Sequence, residues 1–181
     1  MNQDVALADA VRSCALCKLH TERTGNAEPI RLGKRYEQGG LALWTDLPLT
    51  ARDASFMSTV LQRAGINSET VAVLSRVRCK PLRNRLQDYP DAVIACDEWS
   101  KKELEHYQPS VVVLAGNTAM RAVFGVQANI TGVRGTVRAT GDTFEYGGRR
   151  WVPTWHPAAA LRNPELVSTL VDDLRLAKDL L

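Results

Sequence analysis

Four short apolar runs constrain the fold of this chain more than anything else in its sequence. They lie at residues 41–44, 71–74, 111–115 and 151–154. The run at 111–115, Val-Val-Val-Leu-Ala, is continuous and does not alternate, the pattern of a strand covered on both faces. Between the runs lie stretches with helical spacing. Phe56, Met57, Val60 and Leu61 predict a helix over 52–64, which Gly65 ends. Further helices are expected at 3–13, 91–107, 118–124 and 165–181. Residues 18–40 read as a polar loop, and the Gly- and Thr-rich stretch 132–150 as a hairpin or edge strand. Strands alternating with helices imply an α/β fold, a three-layer α/β/α sandwich around a central, mostly parallel four-stranded sheet. In such folds the working site lies at the carboxyl ends of the strands. Asp46, Ser75, Gly116 and His156 all follow predicted strand ends.

The chain has 181 residues, which suits one domain, 1–181. Apolar residues at 45% and charged residues at 24% are those of an ordinary globular protein. No apolar run approaches the roughly 20 residues that span a bilayer. The start, Met1-Asn2-Gln3-Asp4, lacks a basic segment followed by an apolar one. The expectation is a cytoplasmic protein, monomeric, with no membrane partner. The net charge of +3 says little. Its local clustering says more: Arg76, Arg78, Lys80, Arg83 and Arg85 fall in one loop, a surface suited to phosphates.

Four cysteines, Cys14, Cys17, Cys79 and Cys96, carry the clearest chemistry. Disulfides suit neither a reducing compartment nor a chain long enough to bury its own core. Cys14 and Cys17 form a Cys-x-x-Cys clip for a soft metal. Four thiolates complete the first shell of one zinc ion or of one iron–sulfur cluster. The spacing alone leaves both open.

Several segments together resemble the family 4 uracil-DNA glycosylases. The opening clip matches Cys14-Ala-Leu-Cys17-Lys-Leu19 and Arg23. The third cysteine's stretch matches Arg78-Cys79-Lys80-Pro81-Leu82-Arg83-Asn84-Arg85, and the fourth cysteine falls at Cys96. An apolar strand running into Gly-x-x-Ala matches Pro109 through Ala119, and an Arg-Gly pair matches Arg134-Gly135. A His-Pro-x-x-x-Leu-Arg motif matches His156-Pro157-Ala158-Ala159-Ala160-Leu161-Arg162. The resemblance spans almost the whole chain in the family's order. It implies a 4Fe-4S cluster with a structural role, with zinc as the alternative. It implies DNA as the partner, met by Arg78, Lys80, Arg83, Asn84, Arg85, Arg134, Leu161 and Arg162.

The chain departs from the family at its first motif. Gly-Glu-Ala-Pro-Gly is replaced by Thr45-Asp46-Leu47-Pro48-Leu49, no Pro-Phe pair follows, and the base-reading asparagine falls at Ser75. Cleaving an N-glycosidic bond creates a cationic sugar and a departing base anion, and both charges need stabilising. His156 is expected to donate to the base, and Asp46 to orient water or to face the sugar cation. Ser75, Pro48, Gly116 and Asn117 are expected around the base. The implied activity is excision of uracil or another altered base from DNA by a monofunctional glycosylase. The alternatives are an inactive iron–sulfur DNA-binding module and a base-modifying enzyme on the same fold.

Overall fold

In the computed structural model, residues 3–141 and 144–181 are described. Met1, Asn2, Asp142 and Thr143 lie outside the described residues, so the N-terminal reading and the 132–150 reading are tested only in part. The four apolar runs become β2 (Leu41–Thr45), β3 (Val71–Ser75), β4 (Val111–Ala115) and β6 (Arg150–Thr154). They pair in parallel, β3 with β2, β2 with β4 and β4 with β6. The sheet nevertheless has six strands, not four. β1 (Arg31–Leu32) and β5 (Arg138–Ala139) add antiparallel edges, in the order β1-β3-β2-β4-β6-β5. Each is a two-residue exposed strand and leaves no apolar run to read in the sequence. Short polar edges also leave little unpaired backbone for another chain to pair with.

The helices are α1 (Gln3–Arg12), α2 (Leu19–Glu22), α3 (Ala51–Arg63), α4 (Pro90–Ala95), α5 (Asp97–Tyr107), α6 (Asn117–Phe124), α7 (Ile130–Val133), α8 (Pro157–Arg162) and α9 (Leu166–Lys178). Strand periodicity sorts them into two layers. Leu41, Leu43, Val111 and Val113 face Met57, Val60 and Leu61 of α3 and Leu170 and Leu174 of α9. Ala42, Trp44, Val112 and Leu114 face the opposite way, onto Leu104 of α5 and Met120 and Val123 of α6. One strand thus serves two cores, which explains why these runs are apolar at every position. Among the described residues no helix is long and apolar enough to cross a membrane.

Two predicted boundaries change. The helix expected over 91–107 breaks at Cys96 into α4 and α5. Residues 18–40 contain α2 and β1 as well as loop. The ends of α3 follow local chemistry. Thr50 and Asp53 form a reciprocal capping box at its start, and Gly65, at φ 73°, follows its end.

Candidate functional site

The parallel strands bring Asp46, Ser75, Gly116 and His156 to one edge of the sheet, as their places after β2, β3, β4 and β6 require. Asp46 leaves β2 and turns across to α6. Its Oδ1 accepts from the Ala119 amide at 2.8 Å. The amides of Thr118 and Asn117 also donate to it. Burial, against these amides and the nearby Arg121, raises its pKa to about 6. Gly116 makes the approach possible. It has φ 119°, and a Cβ there would stand 2.4 Å from Asp46 Oδ2. Asp46 is therefore a fixed carboxylate that caps a helix of a different strand-helix unit. Asn117 is occupied nearby, since its Oδ1 accepts from the Ile130 amide at 3.2 Å.

His156 opens the next turn. Its Nδ1 accepts from the Ala158 amide at 3.1 Å, capping α8. A ring nitrogen that accepts an N–H carries no proton, so the proton of the neutral ring sits on Nε2. Burial lowers the His156 pKa, opposed by the field of Asp53 and helped by that of Arg162. The site thus holds a neutral imidazole with one defined donor. Leu161 and Arg162 follow in the last turn of α8, half-buried and exposed.

Ser75 pairs with Thr45 in the strand register and comes together with Pro48. With Thr45, Leu49 and Leu74 they line a crevice of about 10 Å3. That is no more than the roughly 10–15 Å3 that one water needs, so a base enters only if a wall moves.

The basic loop divides. Leu82, Arg83, Asn84 and Arg85 are exposed, and Lys80 is half-buried. Arg83 and Asn84 are both left-handed, at φ 58° and 56°, a conformation non-glycine residues seldom adopt twice in succession. Arg78 does not belong with them. It is 1% exposed, ion-paired with the buried Glu103, and donates to the Ser75 carbonyl. A phosphate cannot reach it, and its place in a basic stretch concealed this. Arg134 is likewise committed. It clasps Asp173 with Nη2–Oδ1 at 2.8 Å and Nε–Oδ2 at 3.3 Å, tying α7 to α9.

The four cysteines, Cys79 of this loop among them, gather in one cluster. Cys79 and Cys96 are buried with Val11, Leu19, Val77, Ala92 and Trp99, and Cys14 and Cys17 pack against them. All four are free thiols. Cys96 feels the charge of Cys79 and Cys17, Cys79 that of Cys14, and Cys17 that of Cys79 and Cys14. Burial pushes the Cys96 thiol to about 11. The sulfurs receive N–H groups: Trp99 Nε1 donates to Cys14 Sγ at 3.1 Å and Arg23 Nη1 to Cys79 Sγ at 3.3 Å. Among the described residues no three His, Cys, Asp or Glu side chains form a site for one metal ion. The donor set itself is all sulfur with N–H donors around it, which suits a thiolate-bound cluster.

Sequence reading missed Asp53, Arg121, Glu103 and Trp99. The spacing of Trp99 three residues after Cys96 was a usable signal, because i and i+3 share a helix face. The others act across elements and leave no local pattern.

The family model of the uracil DNA glycosylase superfamily matches residues 31–175. The chain is 30% identical to a Type-4 uracil-DNA glycosylase of Thermotoga maritima, over 95% of this chain and 91% of the relative. It is 29% identical to the Type-4 uracil-DNA glycosylase of Saccharolobus solfataricus, over 97% and 85%. A third, from Archaeoglobus fulgidus, is 27% identical over 94% and 90%.

Proposed function

The chain belongs to the uracil DNA glycosylase superfamily, and we propose on that premise that it removes uracil from DNA by hydrolysing the N-glycosidic bond. The observation that carries this reading is the neutral His156, held by the Ala158 amide with its Nε2 proton outward from the cap. A base inside a duplex is out of reach, so the target nucleotide is extruded. The bond from C1′ to the base breaks with its electron pair going to the base. His156 Nε2–H donates to the oxygen where that charge collects. Asp46, fixed by the start of α6, supplies negative charge to the cationic sugar. A water oxygen then bonds to C1′, and its proton is released to solvent or to the departed base.

The same reading makes residues 1–181 one catalytic domain, monomeric and cytoplasmic, acting in base excision repair with DNA as partner. Cys14, Cys17, Cys79 and Cys96 would hold a 4Fe-4S cluster. Bound there, it would join the segment between α1 and α2, the basic loop and the α4–α5 junction, and it would supply no step of the hydrolysis. Exposed Arg83 and Arg85, with Lys80, then meet phosphates, while Leu161 and Arg162 brace the gap left by the base.

One observation favours a second reading. The crevice beside Ser75 and Pro48, at about 10 Å3, is closed to a base, and an inactive DNA-binding module would need no such opening. Uracil release from single- and double-stranded DNA decides between them. Release that His156→Ala abolishes establishes the glycosylase. Salt-sensitive binding with no release of uracil or of any other altered base establishes the module.

A further inference from the structure

A second cavity, of about 460 Å3, opens between α4 and α6, and its properties differ from those of the Ser75 crevice. Leu86, Pro90 and Val93 form one wall and Ala122 the other, with Arg121 beside it. Arg76 also lines it. This arginine is 5% exposed. Its Nη1 is paired with Asp97, and its guanidinium lies 5.7 Å from the centre of the Trp44 ring. Its Nε is buried with no hydrogen-bond partner among the described residues. A buried N–H without an acceptor is a costly arrangement that a ligand's acceptor relieves.

We propose that this cavity is a nucleobase subsite, which takes the base next to the extruded one on the same DNA strand; the proposal rests on the glycosylase reading. Three features fit a base and its phosphate. The size lies within the range of small-ligand sites. Aliphatic walls cover the flat faces of a base, whose edge carries the carbonyl and ring-nitrogen acceptors that Arg76 lacks. The lining carries a second cation, the exposed Arg121 on α6. Position supports the same occupant. Thr118, which also lines the cavity, donates its amide to Asp46. The cavity therefore adjoins the carboxyl edge of the sheet, where the glycosylase reading puts the target nucleotide.

The test uses short single-stranded oligonucleotides with one uracil. One is complete, one lacks the base on the 5′ side of the uracil, and one lacks the base on the 3′ side. Binding and uracil release are measured on all three. The whole protein is expected to bind one of the base-deleted strands roughly tenfold more weakly than the complete strand. Ala122→Phe fills the cavity from α6 and Val93→Trp fills it from α4. Both are expected to bind the complete strand roughly tenfold more weakly and to lose sensitivity to the deleted base. Two variants on opposite walls guard against one helix failing to fold. Equal binding of all three strands by the unmodified protein overturns the subsite, as does sensitivity that survives both variants. Release of uracil alongside either result leaves the glycosylase reading standing. Absence of both binding and release overturns the two together.

Discussion

The Asp46 carboxylate lies 2.8 Å from the Ala119 amide, so a side chain leaving β2 caps a helix that begins after β4. Neighbouring strand-helix units are locked together at the edge where the chemistry is placed. The same contact fixes a negative charge with no basic partner in hydrogen-bond contact among the described residues, and burial raises its pKa to about 6.

That shift sets the sign of a pH dependence. An unfolded aspartate ionises near pH ~3.9. Below that pH both states hold the proton and Asp46 imposes no penalty. As pH rises through about 6, the folded state must ionise a buried carboxylate and its stability falls. Asp46→Asn removes this fall. Urea midpoints measured at about pH 4 and about pH 7 are expected to drop less in the variant than in the unmodified protein. Parallel pH profiles would contradict the assignment. Uracil release by the variant is expected to slow by roughly a hundredfold or more, through loss of the charge facing the sugar.

His156 carries the opposite sign. Its folded pKa is lowered, chiefly by burial. Its contribution to stability is present above the ordinary histidine value of about 6.5 and is lost as pH falls below it, when the unfolded chain takes up the proton more readily. Protonation at Nδ1 would also set two N–H groups against each other at the Ala158 cap. His156→Ala is expected to reduce uracil release by roughly 100- to 1,000-fold. It also loses the cap, about 1 kcal/mol by analogy with other capping side chains. DNA affinity is expected to change little. Release rates and binding isotherms on the same strand separate the effects, and unchanged release would remove His156 from the reaction.

The central fold was legible because β2, β3, β4 and β6 each carry an apolar run long enough to serve two cores. β1 and β5 were not, since two exposed residues make no pattern. Strand ends put Asp46 and His156 at the carboxyl edge of the sheet, and the structure has them there. What Asp46 does there depends on a helix start 71 residues later, at Asn117, and nothing local announces it. Arg78 shows the converse failure. Its neighbours Lys80, Arg83 and Arg85 made it look like a surface cation, yet its partner Glu103 is supplied from α5, on the other side of the cysteine loop.

The two kinds of arginine in that loop are expected to separate experimentally. Arg83→Ser and Arg85→Ser, at exposed positions, should each weaken binding to all DNA sequences. Each should reduce the slope of log affinity against log salt by about 1. Thermal stability should hold in both, because the Arg85–Asp88 pair is exposed and such pairs contribute little. Arg78→Met should do the reverse. It leaves the buried Glu103, at 0% exposure, without its ion-pair partner, a loss of about 3–5 kcal/mol. A salt slope altered by Arg78→Met in a protein that is still fully folded would restore Arg78 to the phosphate-binding set.

The cysteine site makes a prediction that depends on neither base nor DNA. Trp99 Nε1 donates to Cys14 Sγ at 3.1 Å, while Lys102 Nζ lies 4.9 Å from the centre of the indole ring. An N–H aimed at a thiolate stabilises negative charge on the sulfur, and it does so more in the reduced state of a bound iron–sulfur group than in the oxidised one. It therefore raises the reduction potential. Trp99→Phe keeps an aromatic ring against Val11 and Ala92 but removes the N–H, and the potential is expected to fall by tens of millivolts. Lys102→Gln is the control, since it changes the charge over the ring and leaves the N–H in place; a smaller shift is expected because the ammonium is exposed and screened. Potentials come from titrating the visible absorbance that the proposed cluster would give the purified protein. An unchanged potential in Trp99→Phe would show that this hydrogen bond does not tune the cluster. A colourless protein holding one zinc per chain would replace the cluster assignment itself.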